Sequence, residues 1–238
     1  EETLTDRGFF HINVRAVQTE MLQQPWVSRA IVKRSWRDKL IIQIREQRPV
    51  ARWGEKELLN EIERLNVDKN IDGFIVQLPL PNHIDEQKVL MAVDPEKDVD
   101  GFHPENFGRM ALDMSTFIPA TPFGILELLE RYKVDTKGKH TVVIGRSHIV
   151  GRPMSILMSR KGWPGNSTVT LTHSNTKNIT QIISQADIVI SALGVPNFLK
   201  AEMVKDDAVI IDVGITRVED LSKPKGYRIV GDVDFDGV

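Results

Sequence analysis

The stretch Thr141-Val-Val-Ile-Gly-Arg-Ser-His-Ile-Val-Gly-Arg-Pro153 decides the fold. Its β-branched run, Thr141 to Ile144, has the unbroken apolar character of a parallel strand buried on both faces. Gly145 follows at once, where the chain must turn sharply. Gly151 and Pro153 sit at the entry to a helix running through Met154, Ile156, Leu157 and Met158. Proline is tolerated in a first helical turn, where its missing N–H is not needed. Strand, glycine turn and helix N-terminus together present free backbone N–H groups and a positive dipole end, which suits a phosphate. The stretch therefore predicts a dinucleotide site. Its spacing departs from G-x-G-x-x-G: Ser147 holds the middle glycine position, and the last glycine comes one residue late. Taken alone, the same pattern also fits the tight strand-to-helix turn of any α/β sheet.

The residues beyond the helix narrow the ligand. Thr168-Val-Thr-Leu-Thr-His173 alternates like a second strand. In NAD enzymes an acidic residue near this strand's end binds the ribose 2′-OH. Here the strand ends in His173-Ser174-Asn175-Thr176, with no acid. An uncharged, hydroxyl-bearing end, with Arg146 in the glycine turn, suits a 2′-phosphate, because arginine gives forked, charge-assisted contacts to phosphate. The expected cofactor is NADP rather than NAD.

Upstream, Glu55 to Leu65 reads as a helix with Leu58, Leu59, Ile62 and Leu65 on one face. Gly73 to Leu78 reads as a strand ended by Pro79-Leu-Pro81, and Lys88 to Val93 as a short helix. Asp94 to Pro104 is a loop dense in carboxylates. Thr121 and Pro122 have the character of an N-cap and first helical position, opening a helix that leads to Tyr132.

The first 54 residues differ. Val14 to Gln24 is amphipathic and reads as a helix, and Pro25-Trp26-Val27 breaks it. Ala30 to Trp36 and Leu40 to Glu46 read as two strands joined at Arg37-Asp38-Lys39. Helix then hairpin is an α+β pattern, unlike the βα alternation that follows.

The whole chain has 238 residues, 41% hydrophobic and 27% charged, with a formal net charge of −2. That composition is ordinary for one or two globular domains and gives no broad nucleic-acid surface. No apolar run is long enough to span a membrane. The sequence contains no cysteine, which excludes a thiolate nucleophile and a cysteine zinc site, and the six histidines lack metal-ligand spacing. No metal is expected.

Residues from about 55 to 238 resemble the bifunctional methylenetetrahydrofolate dehydrogenase/cyclohydrolase family, FolD. The resemblance rests on five motifs in order: Asp72-Gly-Phe-Ile-Val-Gln-Leu-Pro-Leu-Pro81, Pro95 to Pro104, Pro119-Ala-Thr-Pro-Phe-Gly124, Val143 to Pro153 and Ile211-Asp-Val-Gly-Ile215. It implies NADP-dependent oxidation of 5,10-methylenetetrahydrofolate, then hydrolysis to 10-formyltetrahydrofolate. It also implies a cytoplasmic two-domain α/β subunit, usually in a homodimer, with a tetrahydrofolate derivative in the cleft. Carried over by residue, Gln77 matches the strand-end glutamine of the active site, and Asp100 the carboxylate that binds the pterin ring. Gly145, Arg146, Ser147, Ile149 and Val150 match the cofactor loop. Ser174 matches a 2′-phosphate contact. Gly194, Asp212, Val213, Gly214 and Ile215 match cofactor-side strand ends.

Residues 1 to about 54 resemble the POTRA domain of the cell-division protein FtsQ, through Gly8-Phe9-Phe10, Val17-Gln18, Pro25-Trp26-Val27, Val32 to Trp36, Asp38-Lys-Leu40 and Glu46 to Trp53. In that family the domain docks partner proteins and performs no catalysis. The expected fold is thus a Rossmann-like doubly wound parallel sheet plus a smaller α/β domain whose N-terminal part is a helix and β-hairpin of POTRA type. The expected domains are 1–120 (1–54 POTRA-like, 55–120 on the folate side) and 121–238.

The FolD family carries a Tyr-x-x-x-Lys motif ahead of the segment matched to Glu55. The only tyrosines here are Tyr132 and Tyr227, followed four residues on by Thr136 and Gly231. The family's Pro/Gly-rich folate-side loop and closing helix, beyond the segment matched to Val238, are missing as well. The expectation is a hybrid joined near Glu55 to Asn60 that binds NADP with weak or absent turnover. Lys56, Lys88 and Lys97 are the nearest substitutes in sequence for the lysine. The competing expectation is a non-catalytic protein-interaction module or an engineered chain.

Overall fold

The computed structural model describes residues 13–22, 27–35, 39–46, 54–223 and 225–238. Gly8-Phe9-Phe10, Pro25-Trp26, the Trp36 to Asp38 turn and Gln47 to Trp53 lie outside the described residues. The chain divides into two compact units, Glu1–Gly54 and Glu55–Val238.

The first unit contains helix α1, Val14–Leu22, and an antiparallel pair, β1 (Val27–Ser35) and β2 (Lys39–Glu46). The Asn13 side chain starts α1 by accepting N–H bonds from Arg15 at 3.1 Å and Ala16 at 3.2 Å, satisfying amides that the first turn leaves without partners. The described helix reaches Leu22, and Gln23 and Gln24, the last residues of its amphipathic pattern, lie outside the described residues. The hairpin register shifts between Val27 and Arg29 and is then continuous to Ser35 opposite Lys39.

The second unit begins with α2, Glu55–Val67, and α3, Glu86–Ala92. Ile62, Ile84, Val89 and Val93 form a small core between them. Asp85 caps α3 by accepting the Lys88 N–H at 3.1 Å. The Gly73 to Leu78 segment does not form the expected ladder among the described residues. Phe74 makes an isolated parallel bridge with Asp98, which belongs to a tight turn closed back on Asp94. A turn residue has no extended neighbours to continue the register, so pairing stops there.

Helices α4 (Pro104–Ala111) and α5 (Ala120–Arg131) follow. α4 stands where the carboxylate loop was expected simply to end. α5 starts two residues earlier than expected, with Pro119 at the N-cap. Thr121 therefore lies inside the first turn and caps nothing.

The rest is a four-stranded parallel sheet with helices between its strands. It comprises β3 (His140–Ile144), β4 (Thr168–Thr172), β5 (Ile188–Ser191) and β6 (Val209–Asp212), in the order β4-β3-β5-β6. α6 (Gly151–Ser159) joins β3 to β4, and α7 (Ile179–Ile183) lies between β4 and β5. Alternate residues of β3 face opposite layers. Val143 packs with Leu126, Leu129, Met154 and Leu157, while Val142 and Ile144 pack with Ile183, Val189 and Leu199. All of these side chains are buried, so the sheet is covered on both faces as its apolar strands require. A hairpin, β7 (Thr216–Glu219) and β8 (Tyr227–Val230), completes the unit. No helix among the described residues is long and apolar enough to cross a membrane.

Candidate functional site

The sheet order reverses between β3 and β5: the chain leaves β3 for β4 on one side, then resumes at β5 on the other. Open α/β sheets bind ligands outside the carboxyl ends of their strands at such a point. The residues singled out on the cofactor side fall there. Gly145 to Val150 follow β3, Ser174 follows β4, Gly194 follows β5, and Asp212 to Ile215 end or follow β6.

Gly145 is held at φ +107, and a Cβ on it would overlap the Ala192 carbonyl. Its N–H donates to Thr172 O at 3.0 Å. The β3, β4 and β5 ends therefore meet at this glycine. Gly151 is equally constrained, because a Cβ there would overlap the Gly145 carbonyl. The two glycines let α6 begin directly against the turn.

Ser147 differs from the sequence reading of a helix end with free amides. Its Oγ accepts from Val150 N at 3.1 Å and Gly151 N at 3.4 Å, and its carbonyl accepts from Arg152 N at 3.0 Å. Ser147 thus caps α6 and occupies amides that a phosphate would otherwise use. The positive charge of the turn comes instead from Arg146, whose side chain is exposed, as is Ile149 beside it. Val150 is partly buried and packs against the core below. Ser174 is exposed in a turn closed by Thr176, which returns its N–H to His173 O at 2.8 Å and accepts the His173 N–H at 2.9 Å.

Asp212 is not a free carboxylate. It accepts N–H bonds from Gly214 at 2.9 Å, Asp232 at 2.9 Å and Val233 at 3.1 Å. Val213 continues the sheet by donating to Ser191 O at 2.8 Å, and Ile215 beyond it is 78% exposed. Gly194, at φ +74, has open space where a side chain would be, and its N–H is taken by Asp232 at 3.1 Å.

Around the carboxylate loop, Asp98 is buried and accepts from His103 N at 2.7 Å and Asn106 Nδ2 at 3.0 Å. Asn106 in turn bonds the Pro95 carbonyl at 2.9 Å and accepts from Thr116 Oγ1 at 2.8 Å. This network fixes the turn that carries Asp100, which is half-buried and has no hydrogen bond of its own among those described. Burial, and then the charge of Asp98, push the Asp100 carboxyl above the usual carboxylate range. Gln77 is exposed and donates to Leu78 O at 3.0 Å.

The lysines considered as substitutes are accounted for. Lys97 Nζ donates to the Leu65 and Asp68 carbonyls at 2.8 and 2.7 Å, closing the C-terminal end of α2. Lys88 pairs with Glu55 at 2.6 Å. Lys56 is exposed on the first turn of α2. Among the described residues, no group of three His, Asp or Glu is placed to hold a metal ion. The sequence reading missed His103, Asn106, Thr116 and Asp232. The only local signal for the first two was a histidine and a proline directly before Glu-Asn, an N-terminal pattern for α4.

Residues 119–238 match the tetrahydrofolate dehydrogenase/cyclohydrolase NAD(P)-binding domain, half of the chain. The chain belongs to the tetrahydrofolate dehydrogenase/cyclohydrolase family. The family's catalytic domain matches residues 32–100, and the FtsQ-type POTRA domain matches residues 2–47, so the two matches overlap on the hairpin. Among its relatives, the bifunctional protein FolD of Flavobacterium psychrophilum is 80% identical over 184 residues, 77% of this chain and 63% of that protein. The chain therefore spans less than two thirds of that relative's length. The crystal structure of the bifunctional enzyme FolD from Campylobacter jejuni is 44% identical, with a TM-score of 0.71 over 77% of this chain and 62% of that one. The FolD of Trypanosoma brucei, solved with NADP cofactor and inhibitor, is 40% identical, with a TM-score of 0.72 over the same 77% of this chain and 62% of its own.

Proposed function

We propose that residues 121–238 bind NADP across the carboxyl ends of β3 to β6, and that residues 55–120 supply the wall facing a tetrahydrofolate derivative. The observation that carries this reading is the junction of Gly145, Gly151 and Ala192, where no side chain fits and the backbone of two strand ends comes together. That close packing sets the exposed Arg146 turn and the positive end of α6 at the switch point, beside the ligand's phosphates. Arg146 supplies the charge and Ser174 a hydroxyl for the 2′-phosphate, while no acid stands at the end of β4 to repel it. NADP, when bound, supplies a hydride acceptor. Asp100 accepts N–H bonds from an aminopyrimidine edge when ionised, and Gln77 donates or accepts at the same cleft.

The chain is a hybrid in this reading. Its support is the unit boundary after Gly54, the FtsQ-type match ending at 47, and the 184-residue extent of the FolD match. No Tyr-x-x-x-Lys occurs in the 238 residues, and Lys97 and Lys88 are committed elsewhere. A general acid–base group is typically worth about a hundred- to ten-thousand-fold in rate. Turnover is accordingly weak or absent, while cofactor binding persists.

A thermal melt with and without NADP tests the reading. Ligand at about a hundred times its dissociation constant adds about 2.7 kcal/mol, or roughly 5–10 °C for a chain of this size. A rise larger for NADP than for NAD is expected; a cooperative melt with no rise overturns it. Dehydrogenase activity well within about a hundredfold of an intact relative, the low end of what an acid–base group contributes, overturns the claim of weak turnover. The match of residues 2–47 favours one alternative, a protein-docking module. Capture of a cell-division partner, with no nucleotide-dependent rise in the melt, would replace the first reading with the second.

A further inference from the structure

The end of β6 and the segment after β8 are locked together by two carboxylates that face each other's glycines. Asp212 accepts the N–H groups of Asp232 and Val233, and a Cβ on Gly231 would overlap its oxygens. Asp232 is fully buried. Its Oδ2 accepts from Leu193 N at 2.7 Å, Gly194 N at 3.1 Å and Ser191 Oγ at 3.4 Å, and a Cβ on Gly214 would overlap its other oxygen. Asn197 and Leu199 then donate to Gly231 and Asp232 carbonyls at 3.2 and 3.0 Å, strapping the segment along the loop that follows β5.

These bonds set the course of residues 192 to 195. With the Leu193 and Gly194 amides drawn into the protein by Asp232, the loop turns through Gly194 at positive φ and presents the Ala192 carbonyl to Gly145. A dinucleotide lying across the switch point puts its adenosine half over the β4 side and its other half over β5 and β6. Arg146 and Ser174 serve the first half; the 192–195 loop walls the second.

We infer that Asp232, held by Asp212, is a positioning residue for the nicotinamide half of the cofactor site. The inference rests on the NADP reading above. It assigns no contact with the cofactor: the carboxylate is buried behind the loop and acts through it. The geometry also accounts for a buried carboxyl at 232. Two backbone amides and a hydroxyl converge on one oxygen, and an amide N–H bonded to a carboxylate is stronger than one bonded to a neutral acceptor.

The test compares two probes, NADP and 2′-phospho-ADP-ribose, which lacks the nicotinamide ring. Wild type, Asp232→Ala, Asp232→Asn and Asp212→Ala are titrated with each by calorimetry, alongside thermal melts. Loss of the hydrogen bonds that Leu193 N, Gly194 N and Ser191 Oγ make to it predicts NADP binding at least about tenfold weaker in Asp232→Ala. Asp232→Asn, which keeps an oxygen for the two amides, stays within about threefold of wild type. The fragment's affinity is unchanged in both. Asp212→Ala, at an exposed carboxylate, shows the same selective loss; it decides the matter if Asp232→Ala does not fold. Equal weakening of NADP and fragment shows general loosening of the domain and overturns the inference. Unchanged NADP affinity overturns it too. Wild type that binds neither probe defeats the NADP reading itself, a distinct outcome.

Discussion

Gly151 has no room for a methyl group, because the Gly145 carbonyl occupies the place where one would go. Overpacking at a site lined by backbone costs about 1–3 kcal/mol, since backbone cannot swing aside as a side chain does. Gly151→Ala is therefore expected to lower the unfolding free energy by that much, seen as a lower urea midpoint, and to weaken NADP binding in parallel. Gly124 is the internal contrast. It lies in α5, exposed, with nothing within 4 Å of an added Cβ. Gly124→Ala should raise stability by about 0.5–1 kcal/mol, the helix preference of alanine over glycine. Asp100 is a third case. Its carboxyl is pushed up by burial and then by Asp98, so the folded state favours the protonated form. The strain is present above the folded pKa and is relieved as pH falls through it. Asp100→Asn should thus raise the melting temperature at pH 7 while weakening binding of a folate ligand. An unchanged or lower melting temperature would contradict that sign. The glycines of this site were legible in the sequence, because each follows or precedes a recognisable element. The capping role of Ser147 was not, because its acceptors and donors are set by how the turn folds back on α6.

Elements with strong local signals formed where the residues predicted them. Thr141 to Ile144 became part of β3, and of the Leu58, Leu59, Ile62 and Leu65 face of α2, Ile62 is buried in the small core with Leu58 and Leu59 packed against it. Weak or conflicting signals failed in physical ways. Gly73 to Leu78 has a strand's composition, but strand identity depends on a neighbour, and the described neighbour is the Asp98 turn. α4 was hidden because its start, His103-Pro104-Glu105, lies in a run of turn-forming carboxylates, while its cap is a ring nitrogen: His103 Nδ1 accepts the Glu105 N–H at 3.1 Å. The end of α2 was equally unreadable, since its partner lies far along the chain. Lys97 reaches back to the Leu65 and Asp68 carbonyls. A lysine on the last carbonyls of a helix satisfies groups the helix leaves open. Lys97→Met should lower stability by about 1–2 kcal/mol without changing the denaturant slope. A larger effect on folate-ligand affinity than on stability would instead give Lys97 a part in the cleft.

Across the molecule, the parallel sheet has a working edge and a tied edge. The carboxyl ends of its strands converge on the cofactor-side residues, while the amino ends are held by Asp187. That carboxylate accepts the His140 N–H at 2.7 Å and the Lys205 ammonium at 2.6 Å, and its backbone pairs with both β3 and β6. The Lys205 hydrogen bond, and then the His140 N–H, hold its carboxyl below the usual carboxylate range. A depressed folded pKa contributes stability above the unfolded value, near pH 4, and loses it as pH falls through the folded one. Asp187→Asn should flatten the acid limb of the stability profile below about pH 4, leaving its slope near pH 7 unchanged. The two-part character of the chain was legible from the shift in pattern after Gly54, because composition changes there along with periodicity. The contiguity of the cofactor site has a consequence for heredity. Every residue proposed to bind NADP lies downstream of Thr141, in one uninterrupted stretch of chain. A single crossover upstream of that stretch passes the whole site to a descendant whatever the gene donates in front. A site gathered from both ends of the chain would be broken by the same event.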